Sequence, residues 1–170
     1  MIGYKYFIGL VVMGLLFSSA CLYPRDYPGM KAYKEIARIP ASDEVRRKDA
    51  LETLKLDTQL DVYLFAQCCV EPSDATILML LQKDGSAKVA RIVERIQESN
   101  SESDRSNLIR LLLYIDDDCK CVASNGIIMR SLRASQVKIT DDDNEVTQLH
   151  KSSFVNYLRK LEDRAVASPP

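Results

Sequence analysis

Val89, Ile92, Val93 and Ile96 fall at i, i+3, i+4 and i+7, the spacing that lines one face of an α-helix. The same rhythm runs through most of the chain. Val45, Leu51 and Leu54 mark one apolar stripe, and Leu60, Tyr63 and Leu64 a second. Ile77, Leu78, Leu80 and Leu81 mark a third. Leu108, Leu111, Leu112 and Ile115 follow, then Ile127, Ile128 and Leu132. Val146, Leu149, Phe154, Tyr157, Leu158 and Leu161 close the series. Helix starts and stops separate the stripes. Ser42 is the expected N-cap of the first, with Asp43 and Glu44 in its first turn. Ser73 and Asp74 open the third helix. Gly85 suits a helix C′ position and Ser86 a new N-cap. Ser101 with Asp104 three residues later resembles a capping box. A further helix is expected from about Ser124, and a short extended piece at Val137 to Thr140. The fold class is all-α: stacked helical hairpins, about seven helices, in an irregular bundle or a short regular array.

Hairpins starting near Ser42, Ser73 and Ser101 favour the array. Leu78 to Arg91, with its Lys83-Asp84-Gly85-Ser86 break, resembles the core of a HEAT-type repeat. Such repeats stack helix pairs so that neighbours bury each other's apolar faces. The usual unit is longer, about 40 residues. The resemblance implies a scaffold that binds proteins along one face, and it carries over no functional residue.

The N-terminus has a different character. Lys5 precedes an apolar run from Phe7 to Phe17, and Ser18, Ser19, Ala20 and Cys21 follow. The run has the length of a secretory signal core and falls short of the ~20 residues of a membrane-spanning helix. Phe17 to Cys21 resembles the lipobox of bacterial lipoproteins, with Ser18 where that family usually has Leu. The resemblance implies cleavage before Cys21, lipidation of the Cys21 thiol and acylation of the new amino group. Leu22, a non-acidic second residue, then implies the outer membrane, facing the periplasm. The expected organisation is a signal peptide over 1–20, a lipid-anchored tether over 21–41, a helical domain over 42–164 and a disordered tail over 165–170. Pro24, Pro28, Gly29 and Pro40 punctuate the tether, with Tyr23, Tyr27 and Tyr33 between them. Lys31 to Ile39 is expected to form one or two helical turns, and the tyrosines to lie near lipid headgroups or against the domain edge.

With residues 1–20 removed, 150 residues remain, enough for one domain with its own core. The whole chain carries 23 basic and 24 acidic residues. That balance argues against nucleic-acid binding, which draws on a basic surplus. The absence of Trp argues against a carbohydrate-stacking platform.

Cys68, Cys69, Cys119 and Cys121 make an even set, which an oxidising compartment would pair. Three connectivities are open. In a regular stack the two clusters fall at opposite ends of the helical layer, ~18 Å apart for twelve-residue helices. A disulfide spans at most ~7 Å between Cα atoms. A regular stack and a cross-link between clusters therefore exclude each other. The expectation is a cross-link, and with it an irregular bundle.

No reaction is written in the remaining residues. His150 is the only histidine and is expected to be partly packed on a helix. Gly-x-Ser-x-Gly is absent. The runs Asp116–Asp118 and Asp141–Asp143 are expected to be solvated helix-end acids. An EF-hand loop from Asp141 fails at its sixth position, Val146, and its twelfth, Ser152. The mixed face of Lys88, Arg91, Glu94, Arg95 and Glu98 is expected to face solvent. The chain is expected to bind a protein partner at a membrane without a cofactor or metal, as an envelope adaptor or accessory subunit. An immunity protein that neutralises a secreted toxin is a second expectation, and a cysteine-dependent redox enzyme a third.

Overall fold

A computed structural model describes residues 27–70, 72–136 and 145–167. Among them the chain forms eight α-helices and no strand. They are α1 (Met30–Ala37), α2 (Glu44–Glu52), α3 (Leu56–Cys68), α4 (Ala75–Gln82), α5 (Val89–Glu98), α6 (Glu102–Cys119), α7 (Gly126–Gln136) and α8 (Glu145–Ala167). A 3₁₀ turn, Gly85–Lys88, joins α4 to α5. The all-α expectation holds.

Short polar side chains start several of these helices. The Asp43 carboxylate accepts from the Arg46 N–H, Asp74 from Thr76, and the Ser101 hydroxyl from Asp104. Asn125 accepts from the N–H groups of Ile127 and Ile128 and so opens α7. Each acceptor satisfies a donor that the first helical turn leaves without a partner. The first of these caps is Asp43, one residue later than Ser42. Gly85 also differs from expectation. Asp84 takes the left-handed conformation, with φ 56°, and Gly85 instead supplies space. A Cβ there would lie 2.5 Å from Ile115 Cγ1.

The core is built around α6. Leu108, Ile109, Leu111, Leu112, Leu113 and Ile115 are all buried, so the helix is apolar almost all round, as a central helix must be. α8 packs along it, and α3, α4 and α5 cover its other sides. Tyr63 and Phe154 are fully buried beside it, and the Tyr63 hydroxyl donates to the Asn107 carbonyl at 2.9 Å. Arg105 stacks over Phe154, while Arg164 donates to the Leu113 carbonyl. Both numbers rise together, so α6 and α8 run the same way.

That alignment explains two misplaced stripe residues. α8 begins before the level at which α6 begins, and Val146 and Leu149 on that overhang are 61% and 65% exposed. Val45 is 72% exposed because the inward face of α2 is set by Arg47 and Leu51, four residues apart. The expected tether is also shorter. α1 packs on α3, and Ile36 belongs to the core, so the folded unit begins by Tyr27. At the other end α8 continues to Ala167, past the expected boundary at 164.

Candidate functional site

Polar chemistry concentrates where α6 ends. Lys120, left-handed at φ 54°, reverses the chain, and its N–H donates to the Asp116 carbonyl. Val122 then re-enters the core. The Asp116 carboxylate, wholly buried, accepts from the N–H groups of Val122 at 2.9 Å and Ala123 at 3.0 Å. Its other oxygen faces the Arg164 guanidinium at 3.4 Å. Arg164 also reaches Asp117 at 2.7 Å and the Leu113 carbonyl at 2.9 Å. Of the acidic run, Asp117 and Asp118 are exposed as expected, and Asp116 is not. A carboxylate can be buried when charge and hydrogen bonds replace its water, and here the turn and α8 provide both. Asp116 lies four residues after Leu112 and eight after Leu108, on the inward stripe. That position was the available signal for it.

The cysteines pair within each cluster, Cys68 with Cys69 and Cys119 with Cys121. This corrects the expected cross-link. Tyr63 meets Asn107 and Arg110 meets Gln67, so α3 and α6 run parallel, and Cys68 lies level with the first half of α6. Cys119 is roughly 12 Å further along at 1.5 Å per residue, beyond disulfide reach. Both pairs also sit at helix C-termini. Thiols activated for exchange are found at helix N-termini or beside cations.

A second polar cluster clamps α1 to α3. Gly29 takes φ 81° against the α3 backbone, where a Cβ would lie 2.3 Å from the Asp61 carbonyl. Tyr27 and Tyr33 pack on Phe65, with ring centroids 5.6 and 5.3 Å away. Their hydroxyls donate to Asp104 at 3.5 Å and Asp74 at 3.3 Å. Asp74 also meets Arg47. Burial, reinforced by Asp104, pushes the Tyr27 phenol up to about 12. Burial likewise raises the Asp104 carboxyl. It raises Asp61 too, and Arg95 pulls Asp61 back only in part. These two tyrosines lie on the domain edge, one of the two expected places; Tyr23 lies outside the described residues.

The mixed face of α5 is less free than expected. Arg91 meets Asp57 at 2.7 Å and Arg95 meets Asp61 at 2.5 Å, so two rungs one turn apart tie α5 to α3. Lys88 turns back instead to the carbonyls of Leu81 and Lys83. His150 is half-buried on α8. Among the described residues no group of three His, Cys, Asp or Glu side chains is arranged to hold a metal ion. No described helix is long and apolar enough to cross a membrane. The signal stretch, Cys21, the piece at 137–140 and Asp141–Asp143 lie outside the described residues. No protein-family model, curated protein or solved structure matches the chain.

Proposed function

We propose that the chain is a bacterial envelope lipoprotein, anchored through Cys21, whose helical domain binds a protein partner at the membrane surface as an adaptor or accessory subunit. The observation that carries this reading is the sequence Phe17 to Cys21, followed after six residues by packed structure at Tyr27. Three acyl chains, at ~0.8 kcal/mol per buried methylene, would hold such a protein firmly. The charged side chains described above are engaged in holding helices together: Asp116, Arg164, Arg91 and Arg95 all join one helix to another. A protein-binding role is supported by exposed Val45 and Met79, which line one groove between α2 and α4 together with Glu44, Lys48 and Lys83. The occupant that fits is an apolar segment of an envelope protein.

The test has two parts. Mass spectrometry of the protein taken from membranes should find acyl groups on an N-terminal Cys21, and Cys21→Ser should move the protein to the soluble fraction. An unmodified Cys21 would sink the anchor. Mild crosslinking in cells should recover a stoichiometric partner with the native groove, and Val45→Asp with Met79→Asp should lose it. Recovery unaffected by both substitutions would remove the groove from the reading.

A further inference from the structure

The basic residues of the described chain are unevenly engaged. Arg47, Lys48, Arg91, Arg95, Arg105, Arg133 and Arg164 each meet a carboxylate. Lys31, Lys34 and Arg38 meet none among the described residues and are exposed, as are Lys55, Lys83, Lys120, Arg130, Arg159 and Lys160; what sets the first three apart is their place. They share one short stretch. At 100° per residue the three fall within about 60° of arc on α1 and its last turn, opposite Ala32 and Ile36, which pack inward. Glu35 is the one acid beside them.

This stretch is also where the chain leaves the domain toward Cys21. Gly29 and Tyr27 fix the exit point against α3 and Phe65. Six residues from Cys21 to Tyr27 span at most ~20 Å when fully extended. A lipid on Cys21 would therefore hold α1 nearer the bilayer than any later helix is held by the chain itself.

We propose that α1 is the membrane-facing element of the domain, and that Lys31, Lys34 and Arg38 seat it on anionic lipid headgroups. The proposal rests on the anchored reading above. Charge complementarity selects the occupant: three unpaired cations in one arc, brought by a short leash to a surface that carries phosphate. The attraction acts within a Debye length, ~8 Å at physiological salt, which the leash permits. It also orients the molecule. With α1 toward the lipid, one side of the domain is committed to the bilayer and the remaining surface is left for partners.

The experiment uses the full chain purified from membranes and reconstituted on vesicles of phosphatidylglycerol and phosphatidylethanolamine. A water-soluble amine-reactive reagent is applied, and lysine modification is read by mass spectrometry. Lys31 and Lys34 should react several-fold more slowly than Lys83 and Lys120, which are exposed elsewhere. The protection should shrink on phosphatidylcholine vesicles and in high salt. In the triple variant Lys31→Gln, Lys34→Gln, Arg38→Gln, the electrostatic part of binding should weaken by about fivefold per charge. Equal modification of all four lysines on vesicle-bound protein would overturn the seating and leave the anchor standing. Protection of Lys83 or Lys120 in place of Lys31 and Lys34 would also overturn it, by assigning another face. A chain that fails to float with vesicles of either composition would remove the anchor and the seating together.

Discussion

Two of the aspartate–arginine contacts that join helices in this molecule differ in almost everything except their chemistry. Asp61 and Arg95 meet at 2.5 Å on the seam between α3 and α5, with both side chains partly in water. Asp116 and Arg164 meet at 3.4 Å where α6 ends, and the aspartate has no solvent exposure. The longer contact carries more structure. Asp116 also accepts two backbone N–H bonds, so its loss would strand two buried donors, while Arg164 would keep Asp117 and the Leu113 carbonyl. Distance ranks the two pairs one way, and burial with hydrogen-bond partners ranks them the other way.

The sharpest way to break this comparison is Asp116→Ala. Leaving the Val122 and Ala123 N–H groups buried without their acceptor costs about 1–3 kcal/mol each. For a domain of this size that lowers Tm by on the order of 10 °C, measurable by thermal and urea denaturation. Asp116→Asn keeps an acceptor for Val122 and Ala123 and should lose less. If Asp116→Ala is no worse than Asp61→Ala, the contrast between the two sites fails.

A second substitution asks whether the end of α6 is as tightly fitted as its hydrogen bonds imply. Gly85→Ala pushes a methyl into Ile115, the neighbour of Asp116. Overpacking of this kind costs about 1–3 kcal/mol. Adding Ile115→Ala removes Cγ1, Cγ2 and Cδ1 from the methyl's place, so in that background Gly85→Ala should cost less, and a double-mutant cycle would read the coupling. Purely additive effects would mean that the two residues do not press on each other.

The exposed seam should respond weakly. In a double-mutant cycle, Asp61→Ala with Arg95→Ala should give a coupling of about 1 kcal/mol or less, and added salt should reduce it. A coupling near that of the buried pair would place the seam among the main supports of the fold.

The smallest expected effect is a dependence on pH. Burial raises the folded-state Asp61 and Asp104 carboxyls above the usual value of 3.8. The folded chain then holds protons that the unfolded chain has released. Their contribution to stability falls as pH rises from about 4 through the folded values. Denaturation midpoints across that range should show this slope, and Asp104→Asn should flatten it. An unchanged slope in that variant would assign the effect to other groups.

Much of the helical layout was legible in the sequence because it depends on local rules. The stripe Val89, Ile92, Val93 and Ile96 is buried as its period requires, and the Ser101 cap forms as its spacing suggests. The misreadings have a common physical origin, since each concerns what lies across from a residue. Val45 is apolar at a helical spacing and still faces water, because the neighbouring helices meet α2 at Arg47 and Leu51. Val146 has a good stripe position on a helix that overhangs its support. Asp116 reads as a helix-end acid until Arg164 arrives from 48 residues away. The cysteine pairing depended on the relative level of α3 and α6, which no local pattern carries. α1 was legible as one or two turns over Lys31 to Ile39, and Phe65 and the α3 backbone reveal why so short a segment packs as part of the domain.

The pairing of neighbouring cysteines has a mechanical consequence. Cys68–Cys69 and Cys119–Cys121 bridge residues one and two positions apart, so neither bond closes a long loop. A chain pulled from its two ends would straighten to nearly its full contour length whether oxidised or reduced. Each bond can also form on a nascent chain, since its partner is already beside it. Oxidation is thereby decoupled from the order in which the helices assemble.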